Sequence, residues 1–524
     1  SVSGDPEPLT APLRRSVPEP LHRQVERRLR DAIADGRLRP GARLASTRGL
    51  ARELGIARIT AQTAYDQLIA EGYLEVDGRR GTRVARDLPE RGFAREHHEV
   101  GHGSMAFPEP NPWAASRPVT APTPAATSGV ELGPEWFGLD TFDARAWGRI
   151  LARAWRELSS EPDSLAATYA GSLGDDRLRA ALADHLAVRR GVRCRPGDIA
   201  VTAGATAAFA AVARTWLGPG RVCVVEDPGG EQLRRSLGGS GARIVPVPVD
   251  DRGIRPDRLP PRADAVFVTP SWQYPAGGSL TLPRRLALLA WAADVGAIVV
   301  EDDCESELRY EGDPLPALQG MAPDGRVVYV STFSKVVYPG LRTGYMVVPE
   351  VHRGPLLAAL EAGGRPAAAI EQRALAIFLE RGGFGRHVRR LRAEYAARRD
   401  AVARAIAPFG DSLEVRRASA GGHLILGIRD PRWTATDLAT TLADSGIRVE
   451  PLSANRLLPA ADDELVVYLS RPDAATLAAA AREIGRVVQT RSGAGSNGDA
   501  ALEPPAQASV ASRRRTVGRI PPPR

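Results

Sequence analysis

Residues 327–349, VVYVSTFSKVVYPGLRTGYMVVP, decide how the rest of the chain is read. A β-branched run ends in hydroxyl residues, followed by Lys335, a turn at Pro339 and Gly340, Arg342, and a second apolar run. That pattern predicts two strands around a tight polar connection. Lys335 is the one lysine in 524 residues; lysine and arginine together total 70, which leaves 69 arginines. Where the chain needs positive charge alone it uses guanidinium, which is planar, permanently protonated and a poor nucleophile. A primary amine can lose its proton and condense with an aldehyde, so the surviving lysine points to imine chemistry. Upstream, AIVVEDDCESELRY (297–310) is a second buried-strand run that ends abruptly in Glu301, Asp302 and Asp303. Acids and a lysine at the carboxyl ends of neighbouring parallel strands face one crevice, where open α/β sheets bind ligands.

Pyridoxal phosphate needs that set of groups: an amine for a Schiff base, a carboxylate for the pyridinium proton, and hydroxyls with an arginine for the phosphate. Composition sets the frame around this crevice. A chain of this length exceeds one hydrophobic core and predicts two or three domains. Hydrophobic content of 43% and charged content of 25% exclude a disordered or fibrous class. No apolar run approaches the roughly 20 residues of a membrane span, and SVSGDPEPLT lacks the build of a signal peptide, so a cytoplasmic protein without membrane contact is expected. The three cysteines, Cys194, Cys223 and Cys304, form no CxxC and no pairing framework, as suits a reducing compartment. A net charge of +8 permits a polyanionic partner.

Residues 1–18 are Pro-rich and read as a flexible lead. From Pro20, apolar residues at Leu21, Val25, Leu29 and Ile33 form the stripe of an amphipathic helix that stops at Gly36. ASTRGLARELGIARITAQTAYDQLIAEGYL (45–74) then predicts a short helix opened by Ser46 or Thr47, a turn at Gly55, and a second helix from about Ala57 to Glu71, which is helix-turn-helix spacing. YLEVDGRRGTRVA (73–85) adds a two-stranded wing, and the whole module spans 19–86. Arg48 and Arg58, at the helix starts, are placed to grip DNA phosphates while Thr60 and Gln62 face base edges. Arg79 and Arg80, with Gly81 permitting close approach, would set the wing at an adjacent groove of double-stranded operator DNA.

Residues 20–85 resemble the winged helix-turn-helix of GntR-type regulators. Ala45 stands where that family usually has proline, and Ala57 where it has serine. Residues 87–130 lose periodicity and read as a linker. His98-Glu99-Val100-Gly101-His102 matches the HExxH zinc pattern, but the surrounding glycines and prolines argue against the helix that zinc chemistry needs, so no metal site is expected. From 131 to 490, short β-branched runs alternate with Ala/Leu/Arg-rich helices, the signature of a mostly parallel, helix-covered sheet. A smaller α+β part begins at about Phe384 and runs to 490. Residues 491–524 read as a disordered tail, with Arg513 to Arg515 available to DNA.

Residues 131–490 resemble a fold-type I aminotransferase, and joined to the winged helix they are similar to the MocR/GabR family of regulators. The stretches that carry this are VTPSWQYPAG, VVEDDCESELRYEGDPLPAL and STFSKVVYPGLRTGY. The resemblance implies an α/β fold with a large and a small aminotransferase-like domain, and a homodimer with pyridoxal 5'-phosphate on Lys335. It implies Asp302 as the pyridinium partner and Thr332, Ser334 and Arg342 as phosphate ligands. Gly204, Ala205 and Thr206 would add amide N–H groups at a helix start, Tyr169 would reach the phosphate from a second subunit, and Tyr274 would stand beside the cofactor's phenolic oxygen. Three positions depart from the family. Cys304 replaces a tyrosine, Gly230 replaces an aromatic that stacks on the ring, and Val466 stands where a carboxylate-clamping arginine is expected. Trp272, at a position usually held by histidine, is expected to refill part of the space. These departures imply retained cofactor attachment with weakened substrate recognition: a regulator whose aminotransferase-like domain senses an amino acid, an amine or a vitamer-like effector. An active aminotransferase carrying a DNA-binding module and a cofactor-free regulator with a vestigial domain stay open as alternatives.

Overall fold

The computed structural model describes residues 13, 14, 19–34, 36–76, 81–86, 88, 129–133, 139–161, 173–310, 315–363, 367–416 and 418–493. The amino-terminal unit has three helices, α1 (Leu21–Ala34), α2 (Thr47–Leu54) and α3 (Arg58–Ala70), and a two-stranded wing, β1 (Leu74–Val76) and β2 (Thr82–Val84). The stripe read from the sequence is buried at Val25, Leu29 and Ile33, while Leu21 stays half-buried at the helix start. Of the two candidate caps for α2, Ser46 is the one used: its side chain accepts from Gly49 N, and Gly55 closes the helix at a φ of 62°. Helix α3 begins one residue later than expected, and Ala57 at its cap supplies no side-chain hydrogen bond. A lost cap of this kind weakens a helix start by about 1 kcal/mol. The wing strands pair antiparallel with Leu74 opposite Val84.

Strand β3 (Val130–Glu131), helix α4 (Ala144–Ser160) and helix α5 (Asp176–Arg190) lead into the large sheet. Its members are β4 (Ile199–Thr202), β5 (Val222–Asp227), β6 (Arg243–Asp250), β7 (Gly253–Ile254), β8 (Ala265–Val268), β9 (Ile298–Asp302), β10 (Val327–Thr332) and β11 (Gly344–Val347). They run in the order β4-β11-β10-β9-β8-β5-β6-β7. Pairings β5–β6, β5–β8, β8–β9 and β9–β10 are parallel, whereas β11 is antiparallel to both its neighbours. The expected mostly parallel sheet is thus present, with β11 inverted between β4 and β10 and the short β7 antiparallel to β6 at the edge. The intervening helices α6 (Ala205–Trp216), α7 (Glu231–Gly238), α8 (Leu282–Val295), α9 (Leu318–Met321), α10 (Arg353–Ala362) and α11 (Ala369–Glu380) cover it. Ala208, Phe209 and Val212 of α6 pack one face with Val300, Val328 and Val330, and Leu186 of α5 and Ile377 of α11 pack the other with Tyr329 and Tyr345.

Helix α12 (Gly383–Ile406) bridges the two parts. Its Phe384, Val388 and Leu391 lie in the core of the large part, while Val402 and Ile406 lie in the core of the small one. The small sheet, β12 (Leu413–Arg416), β13 (His423–Ile428), β15 (Glu450–Pro451) and β16 (Glu464–Tyr468), is antiparallel in the order β12-β13-β16-β15. Helix α13 (Ala435–Asp444) and helix α14 (Ala474–Gly493) accompany it, and β14 (Ile447–Arg448) pairs parallel with β3.

The winged unit shares a buried cluster with the large part. Leu282 and Leu286 of α8 pack with Leu29, Tyr65, Leu68, Tyr73 and Val84. Among the described residues no helix is long and apolar enough to cross a membrane.

Candidate functional site

Asp302 is the last residue of β9, and Lys335 lies three residues beyond the end of β10. The two strands are adjacent and parallel, with Val330 opposite Asp302, so carboxylate and amine reach the same crevice. The three acids of the run have separate duties because side chains alternate across a strand. Glu301 accepts from Leu318 N at 2.8 Å and Gln319 N at 3.0 Å. Asp303 takes a bidentate contact from buried Arg190, 2.7 Å to each oxygen, with Tyr329 Oη at 2.6 Å. Both are committed to the frame, and Asp302 faces the cleft.

The turn after β10 is set by its own hydroxyls. Thr332 Oγ1 donates to Thr343 O at 3.1 Å and accepts from Ser334 N at 3.2 Å, which fixes the backbone just before Lys335. Arg342 has a left-handed φ of 47°, the single non-glycine residue in that region among those described. This conformation sets its guanidinium beside the start of α6, where a Cβ built on Gly204 would lie 3.9 Å from Arg342 Nη2. Gly204 caps α6 with a φ of 82° and no side-chain partner for the helix amides. Ala205 and Thr206 follow as the first helical residues, half-buried and exposed respectively. Gly344 permits the close approach of β11 to this corner, since a Cβ there would meet Gly204 C at 2.7 Å. A helix start with a guanidinium beside it is a setting that favours an anion; Ser334 is half-buried in the turn that follows β10. Thr332 acts on the loop through backbone contacts. Tyr169 lies outside the described residues.

Asp302 fits a cationic ring nitrogen. Burial, reinforced by Asp303 and Glu305, pushes its carboxyl up to about 6 against the hydrogen bonds from Cys304. Among the described residues it has no ion-pair partner, which leaves a place for a positive charge. The backbone N–H of Cys304 donates to Asp302 Oδ1 at 3.1 Å, a bond independent of the side chain; burial raises the thiol well above the usual range, so it remains protonated beside Asp302. Burial also works against the charge on Lys335, but Tyr274, Glu305, Cys304 and Asp302 outweigh it and hold the amine above its ordinary range. Gly230 is packed by Tyr274, whose ring carbons lie 3.4 and 3.6 Å from the position of a Cβ there.

Tyr274 Oη lies 2.7 Å from Tyr468 Oη, and Lys335 Nζ is 5.4 Å from the Tyr274 ring centre. Sequence reading did not single out Tyr468. Val466, two positions earlier on the same face of β16, is buried with Ile425 and Leu452, while Tyr468 extends to the Tyr274 hydroxyl. Two further residues were missed. Glu305 Oε1 is 4.0 Å from Lys335 Nζ, and His423 Nδ1 is 3.6 Å from Glu305 Oε2. The available signal for Glu305 was its place three residues after Asp302; His423 and Tyr468 come from paired strands, with His423 opposite Tyr468, and nothing local marks them. Trp272 is buried, and its Nε1 lies against Gly421, which has no room for a side chain there.

The DNA-facing candidates lie on the winged unit. Helix α3 buries Ala61, Ala64, Tyr65 and Leu68, which turns Ile59, Gln62, Thr63 and Asp66 outward by helical spacing. Arg48 and Arg58 are exposed at the starts of α2 and α3. Thr60 sits half-buried at the edge of the outward face, and Gln62 Nε2 donates to Asp66 Oδ1 at 2.7 Å. Ile59, not considered from the sequence, is 71% exposed on the same helix. Gly81 has a φ of 92° with open space around it. Arg79 and Arg80, like His98 and His102, lie outside the described residues.

Fold and crevice together define a DNA-binding module joined to an aminotransferase-like body. Residues 21–84 match the family described as bacterial regulatory proteins, gntR family. The pyridoxine biosynthesis transcriptional regulator PdxR of Corynebacterium glutamicum is 36% identical over 474 residues, 90% of this chain and 96% of that protein. The probable rhizopine catabolism regulatory protein MocR of Rhizobium meliloti is 36% identical over 416 residues, 79% of this chain and 83% of its own length. Among solved structures, the kynurenine aminotransferase of Pyrococcus horikoshii, in complex with PMP, superposes with a TM-score of 0.64 at 23% identity, covering 70% of this chain and 92% of that one. The α-aminoadipate aminotransferase LysN of Thermus thermophilus, complexed with N-(5'-phosphopyridoxyl)-L-leucine, gives 0.63 at 23% identity, covering 70% and 93%. The chain belongs to the MocR/PdxR-type branch of the GntR family, HTH-type transcriptional regulators with an aminotransferase-like region.

Proposed function

We propose that this regulator works as a cytoplasmic homodimer that reads double-stranded operator DNA through α3 and its wing, and that it holds pyridoxal 5'-phosphate at Lys335 to sense a small amine-bearing effector. The observation that supports this reading is the approach of three segments to the ends of neighbouring strands: Asp302 at the end of β9, Lys335 and Arg342 in the connection between β10 and β11, and Gly204 at the start of α6. Pyridoxal phosphate supplies an aldehyde that takes up primary amines covalently. Lys335 Nζ is the group that attaches, and it must first give up the proton that its neighbours hold. Asp302 would hold the ring N–H, while Ser334, Arg342 and the amides of Gly204, Ala205 and Thr206 would hold the phosphate. Tyr274, on the segment between β8 and α8 and tied to Tyr468 of the small part, would stand beside the ring, and Tyr169 would complete the phosphate site from the second subunit.

The route from crevice to DNA reader is short. Trp272, Gln273 and Tyr274 lie on the segment between β8 and α8, and α8 begins at Leu282, on which the winged unit packs. A ligand that binds two placements of this segment with different affinity biases the seat of the reader, and that differential affinity is what changes operator occupancy.

The test is the visible spectrum of the purified chain with and without added pyridoxal phosphate, followed by borohydride trapping and peptide mapping. Yellow protein with the adduct on Lys335, and colourless Lys335→Arg protein, are expected. Equal colour in the variant refutes the assignment. Steady conversion of amino donors with keto acids would place the chain among working aminotransferases.

A further inference from the structure

Glu305 and His423 form a second polar centre beside the attachment site. Glu305 is 8% exposed and His423 1%. Glu305 Oε2 accepts from Gly422 N at 3.2 Å, and Oε1 faces Lys335 Nζ at 4.0 Å. His423 Nε2 is 2.8 Å from Pro275 O. A carbonyl oxygen can only accept, so Nε2 carries the proton and donates. Burial lowers the His423 pKa, with Lys335 adding to the effect and Glu305 and the Pro275 bond opposing it, so the ring is neutral and Nδ1 presents a lone pair. That Nδ1 is buried without a hydrogen-bond partner and lies 3.6 Å from Glu305 Oε2. Gly422 N–H serves one lone pair of Glu305 Oε2, but the lone pair on Nδ1 is left without a donor, and a buried acceptor in that state calls for one. The rings of Tyr274 and Tyr468 pack on His423, with centroids 5.5 and 5.4 Å from its ring at interplanar angles of 87° and 41°, and Lys335 Nζ already lies 5.4 Å from the Tyr274 ring centre, a contact of the kind that favours a cation.

We propose that Glu305 and His423 form a recognition site for a cationic nitrogen, so that the ligand sensed in this crevice is an amine carrying a second positive charge and not an amino carboxylate. This rests on the reading of Lys335 above, because attachment of the cofactor withdraws the ε-ammonium that otherwise faces Glu305. The neighbouring small-part residues agree with it. Tyr468 and neutral His423 offer a hydroxyl and a lone pair where a carboxylate would need a guanidinium. A carboxylate placed there would meet Glu305 at close range, while an ammonium gains a charge-assisted hydrogen bond from its own N–H to the Glu305 carboxylate.

The probes are 1,3-diaminopropane and β-alanine, which share a primary amine and a similar length and differ in the charge at the far end. Calorimetric titration of the cofactor-loaded full chain is expected to give at least tenfold tighter binding of the diamine. Glu305→Gln is expected to weaken the diamine at least tenfold while changing β-alanine less than twofold. Equal or tighter binding of β-alanine by the unaltered protein overturns the proposal without any variant, as does a diamine preference that survives Glu305→Gln. Cofactor content is measured on each protein by alkaline release. Unaltered protein that takes up no cofactor sinks the Lys335 reading, whereas loaded protein lacking the charge preference sinks this one alone.

Discussion

Asp302→Asn removes the charge that the crevice holds without a partner, and its effect should reverse sign between the free and the loaded protein. Burial is the main reason the carboxyl rises from 3.8 to about 6, which corresponds to about 3 kcal/mol favouring the neutral acid. Because the folded-state pKa is the higher one, the folded chain binds more protons than the unfolded chain between pH 3.8 and about 6. Stability therefore falls as pH rises through that window, by up to about 3 kcal/mol from this group, and stays lower above it. Asparagine has no such decline. Glu301, pushed up to about 7 by burial, adds a fall of the same sign in both proteins and cancels in the difference. Glu226, pushed up to about 7 chiefly by burial and a little by the Asp302 charge, adds a slightly smaller fall in the variant, which reinforces the same trend. Denaturant melts of cofactor-free protein from pH 4 to 7 should thus show the variant gaining on the parent as pH rises. With pyridoxal phosphate the order inverts: a cationic ring nitrogen offsets the buried charge, and losing it should weaken binding by up to about 100-fold, the equivalent of about 3 kcal/mol. Absorbance titration at pH 7.5 reads that loss. Parallel pH curves together with affinities within twofold would refute the reasoning.

Two perturbations probe the rest of the molecule. Arg58→Ala, at an exposed helix start, should weaken operator binding and lower the slope of log K against log salt by about 1; an unchanged slope in a gel-shift series would remove Arg58 from the phosphate contacts. Leu286→Ala, in the cluster joining α8 to the winged unit, should cost about 2 to 5 kcal/mol of local packing. Hydrogen exchange should then accelerate in α1 and α3 while β9 and β10 stay protected, and the ligand-dependent change in operator affinity should shrink. Uniform protection in both units would show that the α8 contact does not seat the reader.

How much was legible in advance depended on whether the signal was local. The stripe Val25, Leu29, Ile33, the cap at Ser46 and the stop at Gly55 are written in neighbouring residues, and the helices formed within a residue or so of their expected limits. The strand ends at Asp302 and Thr332 were likewise marked by the change from β-branched to polar residues. Where the reading erred or fell short, the cause was distance along the chain. Three consecutive acids look alike in sequence, but strand alternation gives Glu301 to a helix start, Asp303 to Arg190 and Asp302 to the crevice. At Gly230 the sequence marked the missing aromatic but not its neighbour, Tyr274, which packs on that glycine because the segment after β8 folds back over it.

The sequence by itself determined the two modules, the order of their elements and the singular role open to Lys335, because periodicity, turn chemistry and amine reactivity are properties of short segments. Only the tertiary structure decided which small-part groups meet that lysine. His423 and Tyr468 become neighbours through the register of β13 on β16, and Glu305 meets them only when the small part closes on the large one. Contacts between residues more than a hundred positions apart are set by packing and strand register, and no local pattern encodes them.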